Sequence, residues 1–418
     1  MGLKGIRVLQ YQRVVKDVEL MIEQDIDVVN CPKCSWRARV KERPVVRYVD
    51  LPVFGTPMHL AWKKHRMICV NPDCPQGSWT LEDHRIAAKN GLLTTRCAKW
   101  VTRQVGEFGR TVSGVALELD CDWRTVNTAV ITYGDALLRA DKKRLNTTTA
   151  IGLDDTAYVK IGSRKNKDYA TTVADVQNHQ IIDILPSRKY LDVAGWIDVQ
   201  PEAWKQRIEF GALDMSDAYA PVYKVMLPKV KQVVDPFHFV QLANRYLDQV
   251  RRRVQQEENG HRGRKNDPLY RARRVLLMGE EKLDEKAATR LQSLLELGDP
   301  SGEVAIAHRV KERVREFYGM PNIEDARSTL EELQTHCEKP SMPPELKSFA
   351  KTIKKWFDKI CNFHISKVTN GPTEGLNNLI KRIKRIGFGF TNFRNYRIRA
   401  LLYAGKPHWN VLGSIVVK

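Results

Sequence analysis

The chain lacks any apolar run approaching the ~20 residues that span a bilayer, and its N-terminus has no signal-peptide pattern. No lipidation motif accompanies its charge, and no internal repeat or low-complexity tract is present. These absences point to an intracellular protein with no membrane partner. Its eight cysteines are then expected to be metal ligands or buried thiols rather than disulfides. Acidic residues are also scarce: 49 Asp and Glu stand against 69 Lys and Arg in 418 residues, a net charge of +20. The shortage is sharpest from Lys351 to Lys418, which holds 14 basic and 2 acidic residues, a net +12. A polyanion is the simplest partner for such a chain, and nucleic acid is the commonest one. The length allows two or three domains.

Four cysteines come as two close pairs, Cys31-Pro-Lys-Cys34 and Cys69-Val-Asn-Pro-Asp-Cys74. Each such loop supplies two thiolates from one tight turn, and tetrahedral zinc takes four. The stretches VVRYVDLPVF and MHLAWKKHRMI between the pairs alternate as strands do. Two knuckles joined by a β-hairpin make a zinc ribbon, expected over residues 1–85. Zinc would stabilise a segment too small for a full core of its own. Cys97, Cys121, Cys337 and Cys361 are scattered and read as structural.

Residues 86–147 follow with SGVALELDCDWRTVNTAVITY, which reads as helix, turn and helix. Val115, Leu117 and Leu119 belong to the first helix, Asp120 to Asp122 to the turn, and Trp123 to Tyr133 to the second. Val126 and Val130 stand at i, i+4 and face inward. This is helix-turn-helix spacing, which leaves Trp123, Arg124, Thr125 and Asn127 to meet a major groove. An ordinary helical hairpin has the same pattern.

From Thr149 the period changes. TAIGLDDTAYV, DYATTVADV and QIIDILPSR read as strands with turns at Gly162 to Lys167 and Gln177-Asn178. A helical stretch over Tyr190 to Gln206, the strand RIEFGALDMS, the helix AYAPVYKVMLP and the strand KQVVDPFHF complete the order of a ribonuclease-H-like α/β core. That core is expected over residues 148–250 and 360–405, with an all-helical insertion over 251–359. The fold class is thus multidomain α+β.

Asp154 and Asp214 each end a hydrophobic strand, where side chains from neighbouring strands converge. Asp155 rivals Asp154, but strand alternation puts Ile151 and Leu153 on one face and Asp154 on the other. Glu374 opens a basic amphipathic helix in NGPTEGLNNLIKRIKRIGFGFTNFRNYRIR. There Leu376, Leu379, Ile380, Ile383 and Ile386 make an apolar stripe, and Asn378, Lys381, Arg382 and Arg385 lie with Glu374 on the polar side. Three carboxylates from separate elements can hold hard divalent cations, while Lys381, Arg382, Lys384 and Arg385 can hold phosphates. The plainer reading of each acid alone is a solvated or capping residue. The plainer reading of the helix is a solvated basic face. In VVDPFHF, Asp235 and His238 read as structural, with a role in orienting a ligand left open.

Taken in order, CPKC, CVNPDC, VALELDCDWRTV, IGLDD, LDMSDAY, DPFHF and NGPTEGLNNLIKRIKRIGFGFTNFRNYRIRALL resemble the ISL-three group of bacterial insertion-sequence DDE transposases, over roughly Asp27 to Leu402. The resemblance implies metal-dependent cutting and joining of DNA at the ends of the chain's own element. It implies Asp154, Asp214 and Glu374 as a catalytic triad binding magnesium or manganese, and zinc on Cys31, Cys34, Cys69 and Cys74. Its implied partners are the double-stranded element ends and target DNA, met as a homodimer or higher oligomer. Its implied location is the bacterial cytoplasm, with the nucleoid when bound to DNA. Asp155 stands where the group usually has Glu. A non-catalytic DNA-binding regulator derived from a transposase, and a nuclease without strand transfer, are the competing readings.

Overall fold

A computed structural model describes residues 3–14, 16–160, 167–215 and 217–417. The expected turn at Gly162 to Lys167 falls largely on 161–166, outside the described residues.

The N-terminal part contains strands β1 (Ile6–Val14), β2 (Asp17–Gln24), β3 (Arg39–Glu42), β4 (Val45–Val53), β5 (Thr56–Lys63), β6 (Arg66–Ile68) and β7 (Ser78–Thr80). They form two sheets, β1-β2-β5-β4 and β3-β6-β7. The strands expected to link the cysteine pairs are therefore divided. β4 and β5 join the larger sheet, where β5 runs parallel to β2, and only β6 belongs to the knuckles. The larger sheet buries Ile22, Tyr48, Leu60 and Trp62 against Ile86, an apolar face that three short strands could not supply.

Helices α1 (Thr95–Gly106), α2 (Val112–Glu118) and α3 (Trp123–Ala140) follow. Thr94 and Thr111 cap the first two by accepting from the N–H groups of Cys97 and Gly114. Val115, Leu119, Val126 and Val130 are buried as expected, but Leu117 points outward and is 82% exposed. Asp120 turns the chain with a positive φ of 50°, and α3 runs about two turns beyond Tyr133, to Ala140.

The second half is built on β8 (Ala150–Lys160), β9 (Lys167–Asp175), β10 (Gln180–Leu185), helices α4 (Tyr190–Asp198) and α5 (Glu202–Arg207), β11 (Phe210–Leu213), α6 (Ala220–Met226) and β12 (Lys231–Val234). The sheet order is β10-β9-β8-β11-β12. β9 is antiparallel to both neighbours, whereas β8, β11 and β12 are parallel. The single helix expected over Tyr190 to Gln206 breaks at Pro201, which has no N–H to continue the ladder.

Then come α7 (Pro236–Asn259), α8 (Pro268–Ala272), α9 (Glu285–Gly298), α10 (Glu303–Phe317), α11 (Ile323–Glu338), α12 (Pro344–Cys361), α13 (Phe363–Ser366), α14 (Gly371–Ile386) and α15 (Phe393–Ala404). Position 251, where the insertion was expected to begin, lies inside the unbroken α7. Phe239 of α7, Phe317 of α10 and Phe349 of α12 share one core with Leu153, Leu213 and Val234 of the sheet, so these helices cover one sheet face. The opposite face is covered by Leu376 and Ile380 of α14 and by Tyr396, Ala400 and Leu401 of α15. α15 also buries Ile398 and Leu402 against α1 and α3. Among the described residues, no helix is long and apolar enough to cross a membrane.

Candidate active site and metal centre

The four thiols of Cys31, Cys34, Cys69 and Cys74 lie within 4.8 Å of one another. The Sγ atoms of Cys31 and Cys74 are 3.7 Å apart, and those of Cys34 and Cys69 are 3.4 Å apart. A tetrahedron with metal–sulfur bonds of about 2.3 Å has edges of about 3.8 Å, so the set fits zinc. Backbone turns make the fit: Ser35 N–H donates to Cys31 O with Ser35 at φ 61°, and Cys69 N–H donates to Gly77 O. Burial alone would raise the Cys31 thiol, but N–H groups of Cys34 and Lys33 and the neighbouring thiols outweigh it and hold Cys31 at about 6. The remaining cysteines are buried or half-buried, and burial raises Cys121 to about 11 and Cys337 and Cys361 to about 12. Those are inert thiols.

The second constellation begins with the pleat of β8. Ile151 and Leu153 enter the core beneath the sheet, so Gly152 and Asp154 face α14. A Cβ at Gly152 would stand 2.5 Å from Thr373 Oγ1 and 2.6 Å from Asn370 Oδ1. Only glycine lets the start of α14 settle this close. Ala212 pairs with Gly152 in parallel register. Continued by two residues, that register sets Asp214 beside Asp154.

Asp154 Oδ1 accepts from Asp155 N–H at 2.7 Å, and Oδ2 accepts from Asn377 Nδ2 at 2.6 Å. Thr172 Oγ1 donates to Asn377 Oδ1 at 2.9 Å and fixes which end of the amide faces the acid. Asp214 Oδ1 accepts from Asn370 Nδ2 at 3.0 Å and lies 2.9 Å from His238 Nε2. The same imidazole nitrogen is 3.5 Å from Glu374 Oε1. Asp154 does not end its strand as expected, because β8 continues to Lys160; it lies mid-strand, just past the last β8–β11 pair, where Asp214 follows the end of β11 and Glu374 arrives on the first turn of α14. Among the described residues, only the thiols form a group with all ligand atoms within 4.8 Å; the acids are spaced more openly.

Electrostatics record the proximity. Burial, and then the charge of Asp214, raise the Asp154 carboxyl to about 6. Contact with Asp214 raises the His238 imidazole despite its partial burial. Asp155 faces away, where its carboxylate meets Arg188 at 3.1 Å. Asp235 is buried and structural: it caps α7 through Phe237 N–H at 2.7 Å and accepts from Asn370 N–H. Its neighbour His238, read from the sequence as structural, lies instead between two of the acids.

Lys381, Arg382 and Arg385 are exposed along α14. Lys384 is turned inward and donates to Ala157 O. Leu379 does not join the apolar stripe; it is 37% exposed, and the buried positions go to Thr373 and Asn377. On α3, Arg124 is exposed and Trp123 is 48% exposed, while Thr125 and Asn127 are half-buried. Arg124 and Thr125 also line a cavity of about 330 Å³ against residues 88–93. Sequence reasoning missed Asn370 and Asn377. A polar residue between Leu376 and Ile380, on the apolar side of the helix, was the available signal for Asn377.

A family model described as a transposase, of the DDE class and ISL3 type, matches residues 151–400, more than half of the chain. That stretch runs from β8 to α15 and contains all three acids. The chain belongs to the ISL3 family of DDE transposases. It is 26% identical over 378 residues to the transposase for insertion sequence element IS1001 of Bordetella parapertussis, covering 90% of this chain and 88% of that one. It is 24% identical over 291 residues to the transposase for IS1557 of Mycobacterium tuberculosis, covering 64% and 62%.

Proposed function

We propose that this transposase binds the terminal inverted repeats of its own insertion sequence and cuts and joins DNA there, using Asp154, Asp214 and Glu374 as ligands for magnesium or manganese. The observation that carries this is the convergence of three acids from three elements, with amide donors Asn370 and Asn377 holding two of them. The order of strands supports a ribonuclease-H-like core, formed by residues 148–250 and 360–405 with the helices between them as an insertion. Partly exposed carboxylate oxygens suit a hard divalent cation. The mutual repulsion of Asp154 and Asp214 is what such a cation would relieve. Bound there, two ions would activate a water or 3′-hydroxyl and stabilise the leaving oxygen.

The protein's own groups do the rest. Asn377 holds Asp154 Oδ2, its carbonyl end being already committed to Thr172, while the Asp155 N–H holds Oδ1. Asn370 and His238 do the same for Asp214, with His238 also reaching Glu374. Exposed Lys381, Arg382 and Arg385 hold the phosphates that lead away from the acids. Zinc on the four cysteines would fix the N-terminal ribbon, and Arg124 and Trp123, with Thr125 and Asn127, would read the repeat from α3. Relatives named as insertion-sequence transposases support the same assignment. The test is cleavage and binding of an element-end duplex in magnesium by Asp154→Asn, Asp214→Asn and Glu374→Gln. Each is expected to bind the duplex and leave it uncut. Normal cleavage by Glu374→Gln would return α14 to a phosphate-binding surface.

A further inference from the structure

α14 ends in a turn whose chemistry contradicts its sequence. Gly389 N–H donates to Lys384 O at 2.9 Å, and Phe388 N–H donates to Arg385 O at 3.0 Å. This pair of bonds closes a helix with a residue in the left-handed region at the position where glycine is the usual choice. The chain has glycine on both sides of that position, Gly387 and Gly389, and phenylalanine in it, at φ 51°. A bulky side chain is disfavoured there. The Phe388 ring does not repay this through packing, because it is 96% exposed. Phe390, two residues on, anchors the turn instead, with its ring 5.6 Å from that of Tyr396 and the Arg399 guanidinium 5.1 Å from its centre. The fold therefore holds Phe388 out in solvent on a fixed support.

The surroundings identify what meets it. Lys381 and Arg385 stand at i, i+4 on the exposed side of α14, and Phe388 follows one turn later. The same side begins at Glu374, 14 positions earlier. An aromatic face at the end of a row of cations suits a nucleic-acid base that has left its stack: the cations hold the phosphates and the ring replaces the lost neighbour. We infer that Phe388 is a stacking platform for an unpaired base in the DNA this protein acts on. The helix rise places it about 20 Å from Glu374, or roughly six base steps along a strand. This inference rests on the proposed function, since it takes DNA to run along α14.

The test uses the full-length protein and two probes containing 2-aminopurine: a generic duplex with a short unpaired bulge, and the same duplex fully paired. The variants are Phe388→Gly, Phe388→Trp and Phe54→Gly. Phe54 is a matched control, because it too is fully exposed at a positive φ of 50° before a glycine, at the tip of the β4–β5 hairpin. Wild type, Phe388→Trp and Phe54→Gly should quench the bulged probe. Phe388→Gly should lose the quench and bind that probe about tenfold more weakly, as expected for a lost base stack. It should bind the paired probe as before and melt no lower than wild type, since glycine suits the turn. Equal quenching by wild type and Phe388→Gly overturns the inference, as does a clear loss of melting temperature or an altered oligomeric state with quenching intact. Wild type that binds neither probe overturns the functional reading itself, so the two failures are distinct.

Discussion

Asn377 donates to Asp154 across 223 positions of sequence, at 2.6 Å. The bond joins an amide on the buried side of α14 to an acid on the facing side of β8. Replacing Asn377 with alanine should leave the fold intact but raise the magnesium needed for cleavage about 10–100-fold, the usual effect of losing a group that orients a metal ligand. A magnesium titration of cleavage measures this, and an unchanged titration would show that Asp154 needs no such support.

The two adjacent acids of β8 should behave differently. Asp154→Asn should abolish cleavage of element ends. Asp155→Asn gives up only the exposed pair with Arg188, worth about 0–1 kcal/mol, and should cleave nearly as well as wild type. The reverse result would shift the assignment by one residue.

Gly152→Ala tests the close approach of α14. The added Cβ would overlap Thr373 Oγ1 and Asn370 Oδ1, so α14 must move. Destabilisation of about 1–3 kcal/mol is expected, with a larger relative loss of cleavage than of DNA binding, because Glu374 moves with the helix. Denaturant melts and parallel binding and cleavage assays separate the two effects.

The cysteine cluster should hold about one zinc per chain by elemental analysis. Cys69→Ser should remove it and unfold the knuckles, which are otherwise held by two short three-residue strands and one of four. Cys337→Ser, at a buried thiol far from the cluster in sequence, should keep the zinc. Retention of zinc by Cys69→Ser would remove the ribbon from the account.

Acid should weaken the helical cover of the sheet at a specific residue. Burial, and then the charge of Lys311, lower His308 of α10 from 6.5 to about 4. The unfolded chain takes up the proton first, so the neutral histidine contributes fully above about pH 6.5 and loses its contribution as pH falls toward 4. His308→Gln should flatten that part of the stability profile. An identical slope in the variant would assign it to other groups.

Much of this architecture could be read directly. The change of period at Thr149 marked the sheet, and the pleat of IGLDD placed Asp154 opposite Leu153 because alternation is a local property of the backbone. What escaped is non-local. The parallel pairing of β2 with β5 draws the expected ribbon hairpin into another sheet, and nothing within either strand announces its partner. Residues 6–24 alternate well enough to suggest strands, but they lie outside the cysteine motif that framed the reading. His238 and Asn370 belong to the site only because the starts of α7 and α14 meet beside Asp214. Leu379 shows the converse: its spacing fits the apolar stripe, but the buried side of the helix includes Thr373, against Gly152, and Asn377, which holds Asp154, in its place.

The double burial of α15 has a consequence for measurement along DNA. With Ile398 and Leu402 set in one core and Tyr396 and Leu401 in another, this helix works as a rivet through two plates. The helices proposed to read DNA and the acids proposed to cut it cannot slide past each other without breaking it. If the proposed function holds, the offset between a recognised base and a severed bond becomes a fixed length of the molecule, a ruler built into the protein rather than a distance set anew by each DNA it meets.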